Sequence, residues 1–309
     1  MASGSFTSMA RTSTRLPPHA YFVVSAVFHY LGPSFAVLLF ARVDVLGVAW
    51  LRIASAAVIF AVWRRPWRVF AWLDRDPRRL LLAWGAVLAL MNCCFYLAIA
   101  RLHLGTVAAI EFLPVIALAA IGSRSARNLI ALALAVSGVY LLADVQLSGQ
   151  PLGVALAFVN ALLFSLYIVL AHRVAQHPSI GGIDGLATAM LIAAVVVTPI
   201  AGVQAGGAFL DPLALAAGIG VGISSSVIPY VSDQLAMARL SRATYALMVS
   251  LLPATATVIG IIVLAQVPSA IEVVGVALVV VGVALHRESN DGGSQSDATR
   301  RRRSLLEQT

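Results

Sequence analysis

Glu111 is a carboxylate inside an apolar run, residues 105–121, and is followed directly by Phe112, Leu113 and Pro114. An ionised side chain at bilayer depth costs roughly 3 kcal/mol on insertion scales unless it meets water, a partner or a proton. A carboxylate so placed suits a group that takes up a proton in one state and releases it in another. Two structural alternatives stand beside that reading: neutralisation by Arg52, or a hydrogen bond with Tyr96. Other polar side chains recur at helical spacing within apolar runs: Ser25 and His29; Asn92 and Tyr96; Asn160, Phe164 and Tyr167; Ser226, Tyr230 and Asp233 or Gln234. One serine or asparagine alone reads as a helix–helix hydrogen bond. Four such stripes together point to an inward-facing cavity suited to a small zwitterion or polar metabolite.

The remaining ionisable groups divide between chemistry and structure. His29 carries the side chain that changes charge near neutral pH, although a lone histidine is more often packing. Arg52, near the start of its run, is expected to snorkel or pair with Asp44, a structural role. Asp233 reads as a gate residue or as a helix-end charge facing Arg239 and Arg242. Pro114 and Pro253 interrupt two runs, free backbone carbonyls and are expected hinges. Cys93 and Cys94 are adjacent, which suits neither a disulfide framework nor a metal site. No G-x-S-x-G, H-E-x-x-H, phosphate-binding glycine loop with lysine, or CxxC is present. The chain therefore reads as a non-enzyme with no metal and no cofactor, and no segment outside the apolar runs is long enough for a nucleotide-binding domain.

The elements that must position these groups are membrane spans. The chain has 309 residues, 60% of them hydrophobic and 11% charged, with mean hydropathy +0.93; a soluble domain carries about 25% charged residues. Ten apolar runs are expected as transmembrane helices, at residues 21–40, 45–63, 80–100, 105–121, 129–143, 152–171, 185–202, 213–231, 243–265 and 271–285. The first is too long for a signal-peptide core and is expected to remain as a span. The net charge of +8 comes from arginine alone, as there is no lysine. With both termini cytoplasmic, 18 of the 21 arginines fall on the inside and only Arg42 and Arg101 outside, as the positive-inside rule requires. That assignment absorbs the basic charge, so nucleic acid is not an expected partner; the lipid bilayer is. Residues 1–19 and 287–309 read as disordered cytoplasmic ends, and Arg300, Arg301, Arg302 and Arg303 read as an anionic-lipid contact or a solvated retention signal. Oligomeric state leaves no mark in the sequence.

The chain also repeats itself. Ala100-Arg101-Leu102, Thr106 and Ala108 recur as Ala238-Arg239-Leu240, Thr244 and Ala246. Five spans per half invert one half relative to the other, the pattern of secondary transporters. The expected architecture is thus an all-α polytopic membrane protein of two inverted five-helix repeats, residues 20–143 and 151–286.

The marks Leu51-Arg52, Pro66-Trp67-Arg68, Met91-Asn92, Phe95-Tyr96-Leu97, Leu104-Gly105, Glu111-Phe112, Gln204-Ala205-Gly206, Pro229-Tyr230, Arg239-Leu240, Thr244 and Pro253 resemble those of the drug/metabolite transporter superfamily in its EamA branch. The resemblance spans roughly residues 21–287. It implies a ten-helix inverted-repeat fold, a central cavity, and export of small amino acids such as threonine and homoserine across a bacterial inner membrane, driven by protons. The chain departs from the exporter pattern at Leu252 and Gln266, both glutamates in that pattern, which leaves Glu111 and Asp233 as the coupling carboxylates. The expected site is Asn92, Tyr96, Glu111, Tyr167, Tyr230, Asp233 and His29. Rival readings are a transporter of another cargo (a drug or lipid-linked sugar) and a non-transporting membrane scaffold or sensor.

Overall fold

The computed structural model describes residues 17–122, 125–147, 149–175, 177–237 and 251–285. Among them every regular element is a helix: α1 (Pro18–Leu39), α2 (Val45–Arg64), α3 (Pro66–Trp72), α4 (Arg75–Ile99), α5 (Leu104–Gly122), α6 (Ala126–Leu147), α7 (Pro151–Ala175), α8 (Gly182–Ala201), a 3₁₀ helix (Val203–Leu210), α9 (Pro212–Gly222), a π-helical turn (Ile223–Val227), α10 (Ile228–Met237), α11 (Leu252–Leu264) and α12 (Ala270–Leu285). Among the described residues seven helices are long and apolar enough to cross a membrane, and the apolar helices Leu252–Leu264 and Ala270–Leu285 are shorter. The second copy of the repeated triplet, Arg239 and Arg242 lie outside the described residues, as do both expected disordered ends apart from residues 17–19.

Local chemistry explains the boundaries. Pro66 disfavours helical geometry at the residue before it, and Arg65 accordingly turns left-handed at φ 51°. Pro66 then opens α3, a short helix that the apolar pattern does not announce. Asp211 caps α9 by accepting from the Leu213 and Ala214 N–H groups, with Pro212 in the first turn. Ser269 and Glu272 form a reciprocal capping box at the start of α12: Ser269 N–H donates to Glu272 Oε2 at 2.8 Å, and Glu272 N–H to Ser269 Oγ at 3.3 Å.

Successive long helices alternate in direction. We call the end of the bundle that holds the start of α1 the near end, and the end that holds the α1–α2 turn the far end. Arg42 meets Asp211 and His103 meets Glu272 at the far end; Arg64 meets Asp184 and Arg127 meets the Leu285 carbonyl at the near end. One core packs around Tyr30, Tyr96, Leu104 and Ile110, and a second around Phe60, Leu81, Leu88 and Met190. The usual soluble polarity is reversed. Ser25, Asn92, Glu111 and Asn160 are buried, while Val62, Val195 and Ile262 are 76%, 67% and 75% exposed. Such an outer surface needs hydrocarbon around it.

Candidate functional site

A cavity of about 650 Å³ enters the bundle at the near end, where His172 and Gly182 form an exposed rim. Trp84, Phe164 and Tyr167 make its wall: the Phe164 and Tyr167 rings stack at 6.3 Å, and Trp84 lies 5.7 Å from Tyr167. Pro33, Arg52, Glu111 and Asn160 line its depth. Arg52 is seven residues into α2, about 10 Å from the far end at the helical rise.

The floor is polar and tightly organised. Glu111, 5% exposed, accepts from Asn160 Nδ2 at 3.0 Å. Among the described residues no cation stands within ion-pair distance of it. Of the two expected structural partners, Arg52 stands beyond ion-pair distance although its charge reaches Glu111, and the Tyr96 hydroxyl turns to the Arg52 and Ser225 side and not to the carboxylate. The Asn160 carbonyl oxygen is buried and unpaired among the described residues.

Arg52 departs from expectation. It is 5% exposed and neither snorkels nor pairs with Asp44. Its Nε donates to Ser226 Oγ and its Nη2 to the Ser225 carbonyl, both at 3.0 Å, and its guanidinium lies 5.4 Å from the Tyr96 ring centroid. Proline chemistry supplies the reason. In an α-helix the Ser225 carbonyl would accept from residue 229, but Pro229 has no N–H. The chain widens into a π-turn over Ile223–Val227, and Arg52 takes the orphaned carbonyl. Glycines bring the helices close enough. A Cβ on Gly32 of α1 would fall 2.7 Å from the Ser225 backbone nitrogen, and one on Gly222 would fall 2.8 Å from the Arg52 carbonyl oxygen. The signal that could have located this turn is the run Ser224-Ser225-Ser226, whose hydroxyls compete with backbone pairing, followed by Pro229.

The other expected residues distribute around this floor. His29, Asn92, Tyr167, Tyr230 and Asp233 line the cavity. Asn92 turns its amide back to the Leu88 carbonyl of its own helix at 2.7 Å. His29 meets Tyr30 edge-on at 5.3 Å. Asp233 lies beside Ser25, whose hydroxyl donates to the Pro229 carbonyl at 3.2 Å. Tyr96 is fully buried behind the floor, near Arg52 and Ser225. Pro114 is inside α5, whereas Pro253 occupies the first turn of α11, where a missing N–H removes no helical bond. At the two positions of departure, Leu252 lines the cavity and Gln266 Oε1 accepts the Leu104 N–H at 3.0 Å, closing the start of α5. Among the described residues no group of three or more His, Cys, Asp or Glu side chains could hold a metal ion.

Comparison with known proteins gives this arrangement its family. Residues 151–287 match the EamA-like transporter family. Over 257 residues the chain is 34% identical to the threonine/homoserine exporter RhtA of Salmonella typhimurium and 33% identical to that of Escherichia coli. The alignment covers 81% of this chain and 84% of each relative. The chain belongs to the EamA-like transporter family. It is therefore a multi-pass membrane protein of the drug/metabolite transporter class, and the cavity is set in a transporter scaffold. The EamA match falls on α7 to α12, while the alignment to the exporters extends well into the first half.

Proposed function

We propose that this EamA protein exports small amino acids of the threonine and homoserine kind across a bacterial inner membrane, by alternating access and coupled to protons. The observation that carries this reading is Glu111: a buried carboxylate with an amide partner and, among the described residues, no cation within ion-pair distance, at the depth of a cavity open to one end. Such a group can bind a proton in one state and give it up in another without breaking an ion pair. The names of the aligned relatives supply the cargo. In this reading the fold is ten spans in two inverted repeats with both termini cytoplasmic, so the near-end mouth is the loading side. Asn92, Tyr167 and Tyr230 contact cargo, Tyr96 supports the floor, and His29 and Asp233 line the route. Pro114 and Pro253 flex during the change of access.

Purified protein in liposomes with labelled threonine and homoserine, under an imposed pH gradient, tests it. Wild type is expected to show gradient-driven flux, and Glu111→Gln to lose it by at least about tenfold, the scale of one charge-assisted interaction. Undiminished flux in the variant returns Glu111 to a structural role. No flux of either amino acid in wild type removes the cargo assignment. The aromatic wall of Trp84, Phe164 and Tyr167 favours a second reading in that case, a cargo with a larger apolar body.

A further inference from the structure

We propose that Arg52 is the seat of the cargo's carboxylate, which makes an anionic group the specificity requirement of this cavity. The inference rests on the reading of the cavity as the cargo site and adds a recognition residue to it. A guanidinium carries five N–H donors. Among the described residues Arg52 Nε and Nη2 each have one acceptor, the Tyr96 hydroxyl lies close to the guanidinium, and Nη1 donates to no carbonyl or carboxylate. Among the described residues no carboxylate lies within ion-pair distance and Glu111 acts on it only from farther off, although the side chain is buried, at 5% exposure, and lines the cavity. A buried cation is ordinarily paired. Here the Ser225 carbonyl and the Ser226 hydroxyl hold the group and orient it, but neither neutralises its charge.

The geometry also selects the shape of the missing partner. With Nε and one Nη2 hydrogen engaged, the open edge consists of Nη1 and the second Nη2 hydrogen, a fork that matches a carboxylate. Tyr96 packs its ring against the guanidinium and Ser226 fixes Nε, which limits reorientation of the fork. Glu111 lines the same depth of the cavity without touching Arg52. One ligand with a carboxylate and an ammonium group can therefore face Arg52 with the first and Glu111 with the second. An α-amino acid satisfies both, and its alcohol or amide analogue satisfies only the second. Arg52 is thus a binding residue, and the π-turn serines are positioning residues for it.

The test begins with wild-type protein, so it does not depend on a variant folding. Threonine, threonine amide and threoninol are compared as competitors of labelled threonine flux in liposomes. The neutral-headed analogues are expected to compete on the order of 10- to 100-fold more weakly; equal competition overturns the proposal. Phenylglyoxal modification of Arg52, read by mass spectrometry, supplies an arm that does not require threonine transport. Threonine and simple carboxylates are expected to protect Arg52, while threoninol does not. Protection by carboxylates without threonine flux would retain the anion seat and reject the amino-acid cargo. Threonine flux with equal analogue competition and no protection would do the reverse. No flux and no protection would overturn both. Arg52→Gln is expected to erase the preference for threonine over its amide, and Arg52→Lys to restore part of it; a preference unchanged in Arg52→Gln would also reject the proposal.

Discussion

The two ends of the bundle are closed by different means. At the far end, short polar bonds tie early helices to late ones across the cavity floor: Arg42 to Asp211 at 3.0 Å, Trp50 Nε1 to Thr198 Oγ1 at 2.8 Å, His103 Nδ1 to Glu272 Oε1 at 2.9 Å, and the Leu104 N–H to Gln266. At the near end Arg64 holds Asp184 at 2.7 Å and Arg127 holds the Leu285 carbonyl at 2.6 Å, yet His172 and Gly182 stay exposed at the mouth. The far-end bonds are not equal. Arg42 and Asp211 have side chains 54% and 36% exposed, and pairs of that kind contribute little. Glu272 is buried and serves two masters, the His103 ring and the cap of α12. A closed end of this construction can be released by breaking a few polar contacts, whereas the floor rests on the close approach of α1 to the π-turn at Gly32.

The largest expected effect falls on that floor. Gly32→Val would drive a side chain into the Ser225 backbone, and overpacking of this kind costs about 1–3 kcal/mol. It should lower the unfolding midpoint in detergent and abolish flux. Gly206→Val, where an added Cβ meets nothing within 4 Å, should leave both nearly unchanged; equal behaviour of the two variants would show that the close approach is immaterial. Next comes Glu272→Ala, which removes the His103 contact and half of the capping box, for about 1–2 kcal/mol. If the far end is a latch, a cysteine placed at Val43 should react faster with a membrane-impermeant maleimide in this variant, and one at Gly182 should not. Equal acceleration at both ends would mean general loosening.

The smallest effect belongs to the exposed pair. Arg42→Ala should leave the midpoint unchanged, because Asp211 still accepts from Leu213 and Ala214. Those contacts, the Ala214 N–H first and the Arg42 guanidinium next, hold the Asp211 carboxyl below its usual range. A carboxylate depressed in the folded state stabilises above its unfolded pKa, about 3.9, and loses that contribution as pH falls through the folded value. Asp211→Ala should therefore be less stable than wild type at neutral pH, with the gap narrowing in acid. A gap constant with pH would assign the effect to packing.

Much of the site was readable as spacing. His29, Glu111, Asn160, Tyr167, Tyr230 and Asp233 share a cavity because polar groups in a lipid-bathed helix turn inward wherever the 3.6-residue period lets them. The partners were not readable. Glu111 could have met Arg52 or Tyr96 on depth alone, and it meets Asn160, 49 residues away. Arg52 could have reached Asp44, and it reaches a carbonyl 173 residues away that Pro229 left vacant. The Ser269–Glu272 box joins residues three apart, whereas the tie from Glu272 to His103 spans 169 residues and depends on the fold.

Composition and arginine placement alone determined that this chain enters a membrane, since the cost of burying charge and of exposing apolar surface acts on every residue regardless of its neighbours. The buried carboxylate and the inward stripes followed from the same local costs. Which donor meets which acceptor was decided only by the tertiary structure. A hydrogen bond depends on separations of a few tenths of an ångström between distant segments, and here glycine contacts and a proline-induced π-turn set those separations.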